Sequence, residues 1–153
     1  MKYREIINFL LRIILGVIFL YASIGKIYEP NLFFKEISNY KVFPEILSKI
    51  FAITIPWYEL ILALFLIFGI RLRTTSLLVF IFLSSFTVLV ISSWVRGLNI
   101  NCGCFSHYTE YVGLRKVVEN VILMAFSLYI FFSPKSFLNL EEQILKYRGT
   151  TFE

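Results

Sequence analysis

Residues 49–95 read KIFAITIPWYELILALFLIFGIRLRTTSLLVFIFLSSFTVLVISSWV. Two apolar runs, residues 49–70 and 74–95, meet at Gly69-Ile70-Arg71-Leu72-Arg73. Crossing a hydrocarbon core of ~30 Å takes ~20 mostly apolar residues in a helix. Each run supplies that length, and the turn between them is too short for a separate element. The stretch therefore predicts a transmembrane helical hairpin. The gaps between apolar runs do not alternate with period two, so a membrane β-barrel is not expected.

Two further windows qualify on the same grounds, residues 7–28 and 114–133. The expectation is an all-α integral membrane protein, a four-transmembrane-helix bundle forming a single domain over residues 1–153. Composition agrees: 58% of residues are hydrophobic and only 16% charged, with mean hydropathy +0.77, whereas soluble domains carry about a quarter charged residues. The first window also resembles a signal peptide, with Lys2 and Arg4 as its basic start and Tyr21-Ala22-Ser23 as a poor cleavage site. An h-region is normally ~7–15 residues. This run is longer and contains Arg12, so a retained helix is expected.

The net charge of +5 fits anchoring and orientation. No basic stretch has the density or aromatic interleaving of a nucleic-acid face, and no nucleic-acid partner is expected. Four spans put both termini on one side. The positive-inside rule weighs short loops and early residues most. Lys2 and Arg4 at the start, and Arg71 and Arg73 in the short turn, place both termini in the cytoplasm. The chain then reads as a multi-pass protein of the cell (inner) membrane, in contact with the lipid bilayer. Its loops 29–48 and 97–113 face outward, the first mixing Glu29, Glu36 and Glu45 with its lysines.

The outward loop 97–113 holds the only two cysteines, Cys102 and Cys104, separated by Gly103. Disulfides persist in the periplasm and at the cell surface. A disulfide across one residue closes a small ring, and strain makes such a bond easier to reduce. Gly103 supplies the backbone freedom the ring needs. Arg96, Arg115 and Lys116 favour the reactive thiolate, as does the positive end of a helix starting near Leu114. A redox dithiol, a soft-metal site and a structural disulfide all remain open on these residues. The metal alternative uses Cys102, Cys104 and His107, with Glu110 as a fourth ligand, for Cu(I) or zinc. It is not the favoured reading. His107 otherwise stands as an exposed loop residue or as a proton carrier for thiol exchange.

Four ionisable residues fall in or near the spans: Arg12, Lys26, Glu59 and Glu119. Charges at membrane depth are costly, so they face the bundle interior and pair. Lys26 is expected to pair with Glu59 or Glu119, while Arg12 snorkels to the headgroups. These residues either fix helix packing or form a buried-charge proton relay, linked in one version to a quinone cofactor. Trp57, Tyr58 and Trp94 with the many Phe residues would line a quinone pocket or form interfacial belts. The segment 32–49, with Phe33, Phe34, Tyr40, Phe43 and Pro44, predicts an amphipathic helix on the outer surface followed by a turn. The tail after Pro134, with Leu138, Leu140, Ile144 and Leu145 among charges, is expected along the inner surface.

In order along the chain stand Arg12-Ile13-Ile14-Leu15-Gly16, Phe19, Ala22-Ser23, Lys26 and Pro30; Tyr40 and Phe43-Pro44; Pro56-Trp57-Tyr58-Glu59-Leu60, Leu64 and Gly69; and Cys102-Gly103-Cys104-Phe105. This series, over about residues 12–125, resembles the DoxX-like membrane proteins and more closely the methylamine-utilisation MauE family. Ser106 stands where the family motif Cys-Gly-Cys-Phe-Gly ends in Gly. The resemblance implies a four-helix membrane protein that works beside a thioredoxin-like periplasmic partner. In MauE the associated task is maturation of the disulfide-rich small subunit of methylamine dehydrogenase. DoxX-like relatives linked to quinone-dependent sulfur oxidation imply an electron-transfer role as well. The reading is a membrane-embedded thiol-disulfide redox protein, a component of a thiol-disulfide oxidoreductase system. It supports disulfide formation or electron transfer on the outer face, with Cys102 and Cys104 as the exchanging pair. The alternative is a non-enzymatic membrane scaffold or copper-handling accessory protein.

Overall fold

The computed structural model describes residues 2–97 and 113–133. Cys102, Cys104, His107, Glu110 and the tail from Pro134 onward lie outside the described residues. Five helices follow in order: α1 Lys2–Tyr28, α2 Pro30–Asn39, α3 Glu45–Phe68, α4 Leu72–Val95 and α5 Leu114–Phe132.

Three helices are long and apolar enough to cross a membrane: Tyr3–Tyr28 within α1, then α3 and α4. They cover the windows expected from the sequence at 7–28, 49–70 and 74–95, with α3 starting one turn early. The window 114–133 is helical, but α5 has only 19 residues. Its first two turns carry Arg115, Lys116 and Glu119, which shortens its apolar part. By length and composition the described residues hold three candidate spans, fewer than the expected four.

The segment 32–49, expected as a surface helix and then a turn, divides between two helices. Pro30 sits in the first turn of α2, where its missing N–H costs no helical hydrogen bond. The helix stops at Asn39, and Lys41 takes a left-handed φ of 50°. The chain reverses there, and α3 begins at Glu45. The α3–α4 turn is built by two left-handed residues. Gly69 has φ 72°, and the Ile70 N–H donates back to the Phe65 carbonyl at 3.0 Å. Arg71 follows at φ 44°, so two conformational reversals within three residues turn the chain into α4.

Helix α1 packs along α3, α4 packs against α5, α5 also meets α1, and α2 packs against α3. The buried residues of α1 include Asn8, Arg12, Leu15, Phe19, Ser23 and Lys26. They recur every three or four positions, which puts them on one helical face. The apolar core joins Leu15 and Phe19 to Leu62, Ala63 and Leu66 of α3, Val79 and Leu83 of α4, and Ile130 of α5. A Cβ on Gly16 would lie 2.6 Å from Ile67 Cγ1 and 3.3 Å from the Ala63 carbonyl oxygen. Small residues at such crossings let membrane helices approach closely. The outward faces carry exposed Val17, Ile53, Ile61, Ile81, Val88 and Val121. An apolar surface this extensive suits lipid.

Candidate functional site

Lys26 lies in the last turn of α1 and Glu59 one turn beyond Pro56 in α3. The close α1–α3 packing brings them together. Lys26 Nζ lies 2.6 and 2.7 Å from the two Glu59 carboxylate oxygens, and both side chains are only 6% exposed. The Phe33 ring of α2 covers the ammonium at 5.0 Å. An ammonium has three N–H donors. Two serve Glu59, and the third has no hydrogen-bond acceptor among the described residues.

The pair stands between two cavities, both lined by Lys26, Glu59, Phe82 and Phe86. The smaller, of about 60 Å³, is closed on the α5 side by Lys116 and Asn120. Asn120 is 3% exposed, and its Nδ2 donates to no acceptor among the described residues. The larger, of about 120 Å³, lies under α2 and is walled by Phe33, Tyr40, Phe43 and Phe51 with Glu36. Glu36 is 3% exposed. Burial pushes its carboxyl above the usual range; the Lys26 charge opposes this and Glu29 adds to it.

Of the four charges singled out in the sequence, the structure brings two together. Glu119 does not reach Lys26. Arg115 Nε at 3.1 Å and Lys116 Nζ at 3.0 Å hold it, both one turn away on its own helix. Arg12 is 1% exposed, so it does not snorkel. Its guanidinium lies 5.2 Å from the centre of the Phe9 ring, and Nη2 donates to the Ile67 carbonyl at 3.4 Å. Ile67 is in the last turn of α3, where carbonyls lack helical partners and a cation is favoured. Arg12 precedes Lys26 by 14 residues, about 21 Å along a helix rising ~1.5 Å per residue, so the two serve opposite ends of the bundle.

Trp57 is 56% exposed and Trp94 46%. Both are exposed and neither lines either of these two cavities; Phe82 and Phe86 stand there instead. Sequence reasoning left Glu36 among the charges of a surface loop and passed over Asn120. The readable signal for Glu36 was the spacing Phe33, Glu36, Tyr40, which puts a carboxylate on the inward aromatic face of α2. Asn120 offered no such signal beyond a polar residue within an apolar run.

The described residues flanking the cysteine segment sit at this same end. Arg96, just past α4, donates through Nη1 to the Tyr40 carbonyl at 3.3 Å. Lys116, in the first turn of α5, lines the smaller cavity. Among the described residues no cluster of three or more His, Cys, Asp or Glu is arranged to hold a metal ion; the alternative set at Cys102, Cys104 and His107 lies outside them.

Residues 4–133 match the family model described as "Methylamine utilisation protein MauE". The methylamine utilization protein MauE of Paracoccus denitrificans is 27% identical over 122 residues, covering 78% of this chain and 66% of that protein. The protein of the same description from Methylorubrum extorquens is 29% identical over 85 residues, covering 55% of this chain and 46% of its own length. The chain thus spans no more than about two thirds of the curated relatives it matches. No solved structure matches it.

Proposed function

The chain belongs to the methylamine utilisation protein MauE family, and on that premise we propose that it is a membrane-embedded thiol-disulfide redox protein whose exchanging pair is Cys102 and Cys104. Its work is disulfide formation or electron transfer on the outer face of the cell membrane, in service of methylamine utilisation, with a thioredoxin-like periplasmic protein as partner. In this reading α5 is the fourth span and both termini are cytoplasmic. Supporting α5 as a span, it packs against α4 and α1 and contributes Ile130 and Ser127 to the interior. Ser127 Oγ donates to the Ser76 carbonyl of α4 at 2.5 Å.

The observation that carries the reading is where the cysteine segment joins the bundle. Arg96 on one flank and Lys116 on the other are both anchored at the end holding the Lys26–Glu59 pair. Both ends of the segment that carries Cys102 and Cys104 therefore begin at the end of the bundle that holds its buried ionisable cluster. In the oxidising direction a client thiolate attacks one sulfur of the Cys102–Cys104 disulfide and a mixed disulfide forms. The client's second thiolate then displaces it. The client gains a disulfide, and the pair takes up two electrons and two protons.

Trapping tests this. With Cys102→Ser or Cys104→Ser, the remaining thiol is expected to accumulate a mixed disulfide with a thioredoxin-like protein, and client maturation is expected to stop. Full function in both serine variants would reject the redox reading in favour of a scaffold. Retention of copper by the wild type, lost in both variants, would favour the metal-handling alternative.

A further inference from the structure

We propose that the larger cavity binds a small methylated ammonium cation, its N–H donating to the Glu36 carboxylate and its methyl groups lying against the surrounding aromatic rings. The chemistry of this site involves neither Cys102 nor Cys104, so it holds or fails apart from the redox reading.

Three observations lead to this ligand. The first is the wall. Phe33, Phe43, Phe51, Phe82 and Phe86 all line the cavity. Aromatic rings hold cations, methylated ammonium above all, through the negative charge on their faces. One ring already does so here: the Lys26 ammonium lies 5.0 Å from the centre of the Phe33 ring. The second is charge. Two carboxylates, Glu36 and Glu59, line the cavity against one ammonium, Lys26. Lys26 donates twice to Glu59 and also acts through its charge on Glu36. With both acids ionised the lining is negative, and Glu29 adds to the field at Glu36. Lys116 lines the smaller cavity and not this one. The third is size. A cavity of about 150 Å³ with apolar walls takes benzene, so one of about 120 Å³ takes a somewhat smaller cation.

The same wall selects for methyl groups. An ionised carboxylate has about four acceptor sites, so Glu36 can receive the ligand's N–H beside its other contacts. An unmethylated ammonium would turn most of its N–H donors toward rings that offer no oxygen, and buried donors left unmade are costly. Methyl groups put apolar surface there instead.

Occupancy is linked to a proton. Burial holds the Glu36 carboxyl above its ordinary range, and the cation takes the place of that proton. The charged and titratable groups around Glu36 are Lys26 of α1, Glu29 before α2, Tyr40 on α2 itself and Glu59 of α3. Helix α4 faces the cavity with no charge, and Arg96 just past it donates to the Tyr40 carbonyl. Binding therefore tightens as pH rises through the raised Glu36 range.

The test uses the full chain in dodecyl maltoside, whose headgroup is uncharged, with trimethylammonium as the probe and calorimetric binding as the readout. Saturable binding is expected, tightening between about pH 5 and 8. Glu36→Gln keeps the shape of the side chain. It is expected to weaken binding about tenfold or more, the worth of a hydrogen bond to a charged group, and to flatten the pH dependence. Phe51→Leu thins the ring wall and is expected to weaken binding about threefold or more. With wild type alone, so that no variant's folding enters, two competitors are compared. Tetramethylammonium is expected to displace the probe, and tert-butanol, similar in shape but neutral, is not. No saturable binding, equal binding by wild type and Glu36→Gln, or displacement by tert-butanol as readily as by tetramethylammonium would overturn the site. Phosphocholine is too large for the cavity and is expected not to compete; competition as strong as that of tetramethylammonium would overturn a free amine in favour of a lipid headgroup.

Discussion

Lys26 on α1 meets both carboxylate oxygens of Glu59 on α3, at 2.6 and 2.7 Å, within a pair sealed from solvent by α2. The contact joins two helices distant in sequence and leaves one ammonium hydrogen with no acceptor among the described residues. Removing one partner of a buried pair leaves an uncompensated charge, which costs ~3–5 kcal/mol. Glu59→Gln and Lys26→Met are each expected to lower thermal stability in detergent by that order. The double variant Lys26→Met with Glu59→Gln is expected to recover most of the loss, because an apolar or neutral replacement of the whole pair is often tolerated. Thermal unfolding of the four proteins measures the coupling; additive losses would mean that the pair does not act as a unit.

The crossing at Gly16 makes a second prediction. Its hypothetical Cβ meets Ile67 Cγ1 at 2.6 Å and the Ala63 carbonyl at 3.3 Å. The Ile67 side chain can shift, but the α3 backbone cannot shift without moving the helix. Gly16→Ala is expected to cost about 1 kcal/mol and Gly16→Leu about 3 kcal/mol or more, the range for overpacking a filled interface. Denaturation in mixed micelles reads the order, and equal effects would show that α1 and α3 are not held at this point.

Much of this arrangement is legible in the sequence, and the failures have identifiable causes. Three apolar runs marked three candidate spans because length against bilayer thickness is a strong constraint. The Lys26–Glu59 partnership was one of two alternatives. Glu119 lost because Arg115 and Lys116, four and three residues away, reach it on its own helix face. Arg12 misled because a long basic side chain near a helix end normally snorkels; here the carbonyl end of α3 lies close enough to hold it inside. Trp57 and Phe82 were indistinguishable as cavity residues, since α4 is apolar nearly all round and its sequence does not mark an inner face. Glu36 was hidden because the outward segment 29–48 was read as lying on the surface, its helix at 32–49 included, whereas the structure buries Glu36.

Glu36 gives a pH prediction. Its carboxyl is held above the ordinary value, first by burial. The folded state therefore binds its proton more tightly than the unfolded chain, and stability falls as pH rises from the ordinary carboxylate range through the raised value. Above that range the full penalty of a buried carboxylate is present. Glu36→Gln removes the titration. Its stability is expected to match wild type at low pH and exceed it at neutral pH, as measured by thermal unfolding at pH 4–8. A wild-type profile that rises with pH over this interval and is flattened by Glu36→Gln would reverse the sign and place Glu36 in a site that favours its charge.

The last prediction concerns α5, whose 19 residues begin with two cations and an acid within two turns. Lys116 is 5% exposed and turned into the bundle, and Arg115 with Glu119 forms a compensated pair at the helix start. The charges therefore need not face lipid at depth, and the remaining run from Asn120 to Phe132 packs on α4 and α1. If α5 crosses the membrane, the α3–α4 turn and the C-terminal tail lie on the same, cytoplasmic side, opposite the cysteine segment. In a background of Cys102→Ser and Cys104→Ser, single cysteines at Arg73→Cys and Thr151→Cys are both expected to resist a membrane-impermeant thiol reagent in intact cells and to react after lysis. The native Cys102 and Cys104, after reduction, are expected to react in intact cells. Labelling at Thr151→Cys but not at Arg73→Cys in intact cells would leave α5 on the outer side of a three-span protein. Protection of Cys102 and Cys104 with labelling at Arg73→Cys would invert the orientation, placing the dithiol in the reducing cytoplasm, where a persistent disulfide is rare.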